Sequence, residues 1–141
     1  MLTRMTLAGA LIGLLNGVTP VAAATVELTI RVPVADSGTV YVALFDNANV
    51  FPAADSAFRT ATSKVASSRV EMQLTDLASG TYAASAFQDL DSDGNLSTNL
   101  LGIPTEPYGF SNATGDAGRP EFEEAAFELP DDRKAVTVDL R

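Results

Sequence analysis

The sequence predicts an all-β protein, an antiparallel β-sandwich of about seven strands. Two observations lead to this fold class. Apolar and polar residues alternate with a period of two in several short segments, and clusters of Gly, Pro, Asn and Asp separate those segments. A third observation argues against a helical fold and against a repeat fold. No segment of the 141 residues keeps a helical period, and none is an internal repeat. Short strands joined by turns are typical of two packed antiparallel sheets.

The first predicted strand spans residues 25–32, where Val, Leu and Ile alternate with Thr, Glu and Arg. A turn at Asp36-Ser37-Gly38 separates it from Val40–Phe45, which is apolar on both faces and is therefore expected to be central. Residues 46–58 contain Asn, Pro and Asp, and they are predicted to form a loop with one helical turn at residues 53–58.

The second half of the sandwich begins with Val65–Leu74, a more polar segment that is expected to lie near a sheet edge. Leu77–Tyr82 resembles the tyrosine corner of Greek-key sandwiches, although a plain hairpin with a core tyrosine explains it equally well. Further strands are predicted at Tyr82–Gln88, at Phe122–Leu129 and at Val136–Leu140.

The N-terminal segment, residues 1–24, reads as a secretory signal peptide. Arg4 supplies a positive charge, Met5–Val18 is an apolar run, and Ala22-Ala23-Ala24 offers small residues for cleavage. The run is shorter than the roughly 20 residues that span a bilayer. We therefore predict cleavage after Ala24, a single domain at residues 25–141, a periplasmic or secreted location and no membrane insertion after cleavage.

The composition excludes several kinds of function. The chain contains no Cys and no His, so it has no disulfide, no thiol nucleophile and no imidazole base. Its formal net charge of −9 gives nucleic-acid binding no electrostatic driving force. We expect a monomer whose partner is an envelope protein or a polysaccharide.

The long connection Asp89–Pro120 carries the candidate site. Some thirty residues without predicted secondary structure are unusual in a compact domain. At its start, acidic residues at alternate positions followed by Gly94 match the first half of an EF-hand calcium loop. The predicted ligands of a structural calcium ion are Asp89, Asp91, Asp93, Asn95, Asn99 and Glu106.

The calcium pattern is incomplete, because Leu100 stands at position twelve, where an EF-hand has a bidentate Glu. Asn99 or Glu106 would have to complete the ligand shell. The alternative is a solvated acidic turn whose aspartates cap backbone amides. Glu106 itself, between two prolines, has three open roles: an ion ligand, a cap for loop amides or a solvated side chain.

Tyr108 and Phe110 are the candidate binding surface. Aromatic side chains tend toward burial, so both are expected to pack over the open end of the sandwich. The alternative is an exposed aromatic ledge that stacks on a sugar ring or holds a side chain of a partner.

The run Gly102-Ile103-Pro104-Thr105-Glu106-Pro107-Tyr108-Gly109-Phe110-Ser111-Asn112 resembles a known family. With Val42–Phe45, the Gly80–Ala83 corner, the aspartate-rich loop and Pro120–Phe127, it is similar to the bacterial family called domain of unknown function 2141. The resemblance implies an exported protein with an immunoglobulin-like or transthyretin-like sandwich, and it implies no activity. Two positions depart from the usual pattern and weaken a metal site. Gln88 replaces a frequent His, and Ser97 replaces a frequent Asp.

Three classes of function remain open. The leading one is a non-enzymatic exported module with a calcium-ordered loop and a binding face. The second is a carboxylate-based, glycosidase-like hydrolase that would use two of Asp89, Asp91, Asp93 and Glu106 as acid and base, a pair that such enzymes hold roughly 5 to 10 Å apart. The third is an assembly subunit that pairs through the edge strand Val65–Leu74.

Overall fold

The computed structural model describes residues 23–113 and 118–141, and the predicted signal peptide lies outside these residues except at its last two positions. The described chain forms eight strands and two short helical segments. In chain order these are β1 (Ala24–Arg31), β2 (Thr39–Phe45), a 3₁₀ turn (Ala54–Ser56), β3 (Arg59–Lys64), β4 (Arg69–Leu77), β5 (Gly80–Asp89), β6 (Tyr108–Phe110), α1 (Phe122–Ala125), β7 (Phe127–Leu129) and β8 (Arg133–Asp139). Among the described residues, no helix has the length and apolar character needed to cross a membrane.

The strands form two sheets, as an all-β sandwich requires. The smaller sheet has the order β4-β1-β8, and the larger has the order β3-β2-β5-β6, with β7 also paired to β5. All but one of these pairings are antiparallel. The exception is the parallel pair of β1 and β8, in which Leu28 lies opposite Val136. The predicted fold class is therefore confirmed, with one parallel pair where the last strand runs beside the first.

The core lies between the two sheets and follows the alternation seen in the sequence. Val26, Leu28 and Ile30 of β1 are at most 1% exposed, whereas the residues between them are only half-buried. β2 is apolar on both faces, and each of its faces packs against a different cluster of side chains. Val40, Val42 and Leu44 join the main core, and Ala43 and Phe45 join a second cluster outside the larger sheet.

One predicted strand was placed wrongly. Val65–Leu74 is not a single strand, since residues 65–68 form the connection between β3 and β4. β3 was missed because its sequence, Arg-Thr-Ala-Thr-Ser-Lys, has no strongly apolar face, and its inward side chains are only half-buried. The expectation of an edge position holds for β4, which is the outer strand of the smaller sheet.

Two further elements differ from the predictions. Phe122–Leu129 is not one strand: it begins with the four-residue helix α1 and continues as β7. Glu121 and Glu124 form a capping box at the start of α1, with a 2.8 Å bond from the Glu121 N–H to the Glu124 carboxylate. The long connection is also not free of secondary structure, because β6 lies within it and pairs with β5.

The tyrosine corner is present. The Tyr82 hydroxyl donates a hydrogen bond of 2.9 Å to the carbonyl of Ala78, four residues earlier. Burial, together with the charge of Asp46, raises the pKa of the Tyr82 phenol above its ordinary value. The hydroxyl therefore stays protonated and able to donate at neutral pH, and it holds the turn that leads into β5.

Candidate functional site

Asp89, the last residue of β5, holds the start of the acidic loop, which we define as residues 89–107. Its side chain is buried, with 1% exposure. One carboxylate oxygen accepts the Ser92 N–H at 2.7 Å and the other accepts the Gly94 N–H at 2.9 Å. Both Ser92 and Gly94 have positive φ angles, of 64° and 76°, so the chain turns tightly around the Asp89 carboxylate.

Glu106, near the end of the acidic loop, binds its beginning and its middle. The side chain is 7% exposed. Its Oε1 accepts the N–H of Leu90 at 2.7 Å and, at 3.4 Å, that of Asp91. Its Oε2 accepts the N–H of Ser97 at 3.0 Å. Of the three roles left open for Glu106, capping of loop amides is observed.

Asp91 lies near these two buried carboxylates but is itself exposed. It accepts the Ser97 hydroxyl at 2.9 Å and the Asp93 N–H at 3.2 Å. The Ser97 hydroxyl, followed by the Asp93 N–H, holds the pKa of the Asp91 carboxyl below its ordinary value. Asp91 is therefore ionised at neutral pH.

The three carboxylates lie close together. Asp89, Asp91 and Glu106 each offer an oxygen atom, and these three atoms lie within 4.8 Å of one another. We call these residues the acidic cluster. Like charges at this separation repel one another, and only part of the acceptor capacity of each carboxylate is used by the N–H groups described above. The cluster therefore has the charge and the free lone pairs that a hard cation requires.

The other predicted ligands have different surroundings. Asp93 is not part of the acidic cluster, and its carboxylate accepts the N–H of Asn95 at 2.8 Å. The Asn95 side-chain amide donates back to the Asp93 carbonyl at 3.1 Å. Asn99 lies in a separate turn, where its Oδ1 accepts the N–H groups of Leu101 and Ile103. The observed group thus combines two members of the alternating aspartate pattern with the distant Glu106.

A groove lies beside the acidic loop on the outer face of the larger sheet. Its volume is about 450 Å³. Phe87, Tyr108 and Phe110 form its apolar floor, and residues of the 46–58 loop and of the acidic loop form its sides. Polar groups at the groove come from Asp55, Ser85, Asn95 and Arg119. A groove with an apolar floor and a few polar groups is the usual form of a small-molecule site.

Tyr108 and Phe110 lie where β6 joins the sheet, rather than loosely over its end. Both side chains are half-buried, and their ring centroids are 6.0 Å apart at an angle of 83°. Phe110 also contacts Phe51 edge to face at 5.8 Å. Both aromatic side chains are therefore partly packed against neighbouring rings, and both line the groove.

Two buried residues that sequence reasoning did not place in the site bond β5 to its neighbouring segments. The Ser111 hydroxyl donates to the Ala125 carbonyl at 2.6 Å and accepts the Ala84 N–H at 2.9 Å, which joins α1 to β5. Gln88 is fully buried, and its amide nitrogen donates to the carbonyls of Val34 and Ser37 at 2.6 and 2.8 Å. The Gln88 carbonyl oxygen has no partner among the described residues.

Fold and site together define a class of protein: a β-sandwich with an ordered acidic loop and an adjacent aromatic groove. The sequence profile of a bacterial family, described as "uncharacterized protein conserved in bacteria", domain of unknown function 2141, matches residues 29–137. The chain belongs to this family, as its motifs predicted. No curated protein and no solved structure matches it.

Proposed function

We propose that the protein is a non-enzymatic, exported binding module whose groove takes a sugar unit of an envelope polysaccharide. The observation that carries the proposal is the groove of about 450 Å³ with Phe87, Tyr108 and Phe110 on its floor. Aromatic faces pack against apolar faces of ligands, and the polar groups of Asp55 and Asn95 at the groove suit hydroxyl groups. A polysaccharide, rather than an envelope protein, fits a groove of this size and lining.

Calcium is the proposed structural partner of the acidic loop. The acidic cluster supports this proposal because three carboxylate oxygens within 4.8 Å suit a divalent cation bound by oxygen ligands. An ion held by Asp89, Asp91 and Glu106 would remove the repulsion between them. Since the same loop forms one side of the groove, ion binding would also fix the shape of the groove.

The geometry favours a binding role over the hydrolase alternative. A glycosidase needs two carboxyl groups on opposite sides of a cleft, one of them kept protonated by a raised pKa. The acidic cluster instead has three carboxylates close together, and the pKa of Asp91 is lowered.

The alternative of an assembly subunit that pairs through an edge strand has no comparable support. The exposed edge strand β4 carries the charged pair Arg69–Glu71, with 3.1 Å between the two side chains, and such charges oppose edge pairing.

Export is part of the proposal and rests on the predicted signal peptide at residues 1–24. The intact mass of the protein recovered from the periplasm or medium of a bacterial host tests it. Cleavage after Ala24 gives a chain that starts at Thr25. Recovery of the full chain from the cytoplasm alone would contradict export.

Binding to polysaccharide is tested by co-sedimentation with peptidoglycan sacculi and by affinity electrophoresis in a neutral glucan. Tyr108→Ala removes part of the groove floor and should weaken retention about tenfold. Phe58→Ala is the matched control, because Phe58 is an exposed aromatic outside the groove. Equal retention of both variants, or no retention of the wild-type protein, would show that the groove does not bind these sugars.

A further inference from the structure

Among the described residues that line the groove, Arg119 is the one positively charged side chain. It lies in the connection between β6 and α1 and directly precedes Pro120. A residue before a proline is biased toward extended backbone conformations. The capping box of Glu121 and Glu124 then holds the chain that follows. The backbone that carries Arg119 is therefore held on its C-terminal side, next to the groove.

The guanidinium of Arg119 has no partner among the described residues. Of the six arginines in that part of the chain, three form ion pairs with carboxylates. Arg59 donates to the Thr75 carbonyl at 3.2 Å, and Arg141 also has a partner. Arg119 is the sixth. Because acidic residues outnumber basic ones by 18 to 9, an unpaired aspartate is expected in this chain, whereas an unpaired arginine is not.

Asp55 is the one negatively charged side chain among the described residues that line the groove. It forms no ion pair with Arg119, so both groups are free to contact a ligand. Asp93 precedes the lining residue Gly94 but does not itself line the groove. The groove thus offers one positive group in negative surroundings, and these surroundings oppose a ligand with more than one negative charge.

We infer that the groove binds a sugar unit that carries a carboxylate and that Arg119 binds this carboxylate. The inference rests on the proposed function and names the class of sugar. The planar guanidinium presents a fork of N–H donors that matches a carboxylate through two parallel hydrogen bonds. A carboxylate carries a single negative charge, which one guanidinium balances. A phosphate monoester carries about −1.5 to −2 at neutral pH, which exceeds it.

The other lining groups suit the remainder of an acidic sugar. Phe87 and Tyr108 on the floor of the groove offer apolar faces for the ring. The Asp55 carboxylate accepts hydrogen bonds from hydroxyl or amide groups, and the Ser85 hydroxyl can donate or accept. A sugar with a carboxylate therefore meets a cation, acceptors and an apolar face within one groove of about 450 Å³.

Titrations followed by NMR test the inference, with the protein as recovered after export and two matched sugars. N-Acetylmuramic acid and N-acetylglucosamine share one ring and one acetamido group, but only the first carries a lactyl carboxylate. The wild-type protein should bind the acidic sugar about tenfold more tightly, because hydrogen bonds between charged groups are the stronger ones. This ratio should fall as the NaCl concentration rises, since salt screens exposed charges. The calcium concentration is the same in every titration.

Three variants locate the source of the preference. Arg119→Gln should weaken binding of the acidic sugar about tenfold and leave binding of the neutral sugar unchanged. Arg119→Lys keeps the charge but loses the fork, so it should retain part of the preference. Lys134→Gln is the matched control, because it removes a positive charge from an exposed side chain outside the groove. It should keep the full ratio. Residues 119 and 134 are both exposed, so the variants should be as stable as the wild-type protein.

Some results would overturn the inference. Equal affinity of the wild-type protein for the two sugars would do so and would leave the proposed sugar site in place. A preference that Arg119→Gln keeps would assign the carboxylate to another residue, and one that Lys134→Gln also loses would assign it to the overall charge. Tighter binding of N-acetylglucosamine 6-phosphate than of N-acetylmuramic acid would make the groove a phosphate site. If neither sugar binds, the inference is wrong, and the co-sedimentation with polysaccharide decides the proposed function separately.

Discussion

The Oε1 atom of Glu106 lies 2.7 Å from the backbone nitrogen of Leu90, so the end of the acidic loop is bonded to its beginning. The same carboxylate reaches Ser97 in the middle of the loop. One buried side chain thus replaces the hydrogen bonds that a strand or helix would have given this segment. The order of a long connection with little regular structure follows from this arrangement.

Glu106→Gln should destabilise the protein by about 1 to 3 kcal/mol, because a neutral amide presents only one acceptor oxygen to the N–H groups that the carboxylate now binds. Urea unfolding monitored by circular dichroism measures the change. Glu123→Gln is the control, since Glu123 is exposed on α1. A Glu106→Gln protein as stable as the control would mean that carboxylate repulsion, not capping, dominates at this position.

Calcium should raise the melting temperature of the protein, and a chelator should lower it again. At a calcium concentration of about 100 times the Kd, the stabilisation expected is about 2.7 kcal/mol. Asp91→Ala should abolish the shift, because it removes one of the three clustered carboxylates. Asp93→Ala, in the same loop but outside the acidic cluster, should keep it. If Asp93→Ala abolishes the shift instead, the ion follows the EF-hand pattern and not the acidic cluster.

The pKa of Asp91 should rise toward its ordinary value of about 3.9 in Ser97→Ala, because the Ser97 hydroxyl is the first cause of its lowering. A group whose pKa is depressed by folding stabilises the folded state above its unfolded pKa. That contribution is lost as the pH falls through the lower, folded value. The wild-type acidic loop should therefore lose stability below about pH 4.

The carboxyl ¹³C shift of Asp91, followed by NMR as a function of pH, measures this pKa directly. Ser79→Ala serves as the control, since Ser79 is exposed and lies at the β4–β5 turn, away from the acidic loop. Identical titration of Asp91 in the two variants would exclude the hydroxyl as the cause.

Gly109→Ala should disrupt β6, because a Cβ atom at this position would overlap the carbonyl of Asp139 on β8. The expected cost is about 1 to 3 kcal/mol. The Gln88 N–H donates to the Pro107 carbonyl and the Ser111 N–H donates to the Ala84 carbonyl, at the two ends of the pairing between β5 and β6. Hydrogen exchange should become faster at these two amides. At Gly102 no atom lies within 4 Å of an added Cβ, and the φ of 76° confines the strain of Gly102→Ala to its own turn, so this variant should leave those two amides protected. Unchanged protection in Gly109→Ala would show that β6 can move away from β8.

Tyr82→Phe should cost about 1 kcal/mol, since it removes the 2.9 Å hydrogen bond to Ala78 and leaves a partly buried carbonyl without its donor. Chemical denaturation measures the difference. Tyr41→Phe is the matched control. Tyr41 stacks on Phe87 at 5.1 Å, a contact that phenylalanine keeps. Equal stability of the two variants would mean that the corner is held by packing alone.

The sequence allowed prediction of those strands that carry many apolar residues. In β1 and β8 apolar and polar residues alternate, β2 and β5 are largely apolar on both faces, and all four occur close to their predicted positions. β3 could not be found this way, because small polar residues on a half-covered strand leave no period to detect. α1 is only four residues long, and its one sequence sign is the pair Glu121 and Glu124.

Some residues of the candidate site could likewise be predicted from the sequence, and others could not. Alternating aspartates pointed to Asp89 and Asp91, and Glu106 was a candidate because it is an acidic residue in the same connection. The contribution of Ser97 could not be predicted, since it depends on a fold in which residues 91, 97 and 106 meet. Ser111 was unpredictable for a similar reason, because its hydroxyl joins segments that are far apart in the chain.

Arg141, the last residue of the sequence, pairs with Tyr108 on the floor of the groove. The backbone of Arg141 exchanges two hydrogen bonds of 3.1 Å with that of Tyr108. A fluorescent protein, affinity tag or surface linker attached after Arg141 would emerge beside the aromatic floor and compete for its space. Attachment ahead of Thr25 of the cleaved chain would place the same cargo at the opposite end of the domain, since β1 and β8 run in the same direction. Immobilisation for binding measurements should therefore use the amino-terminal side.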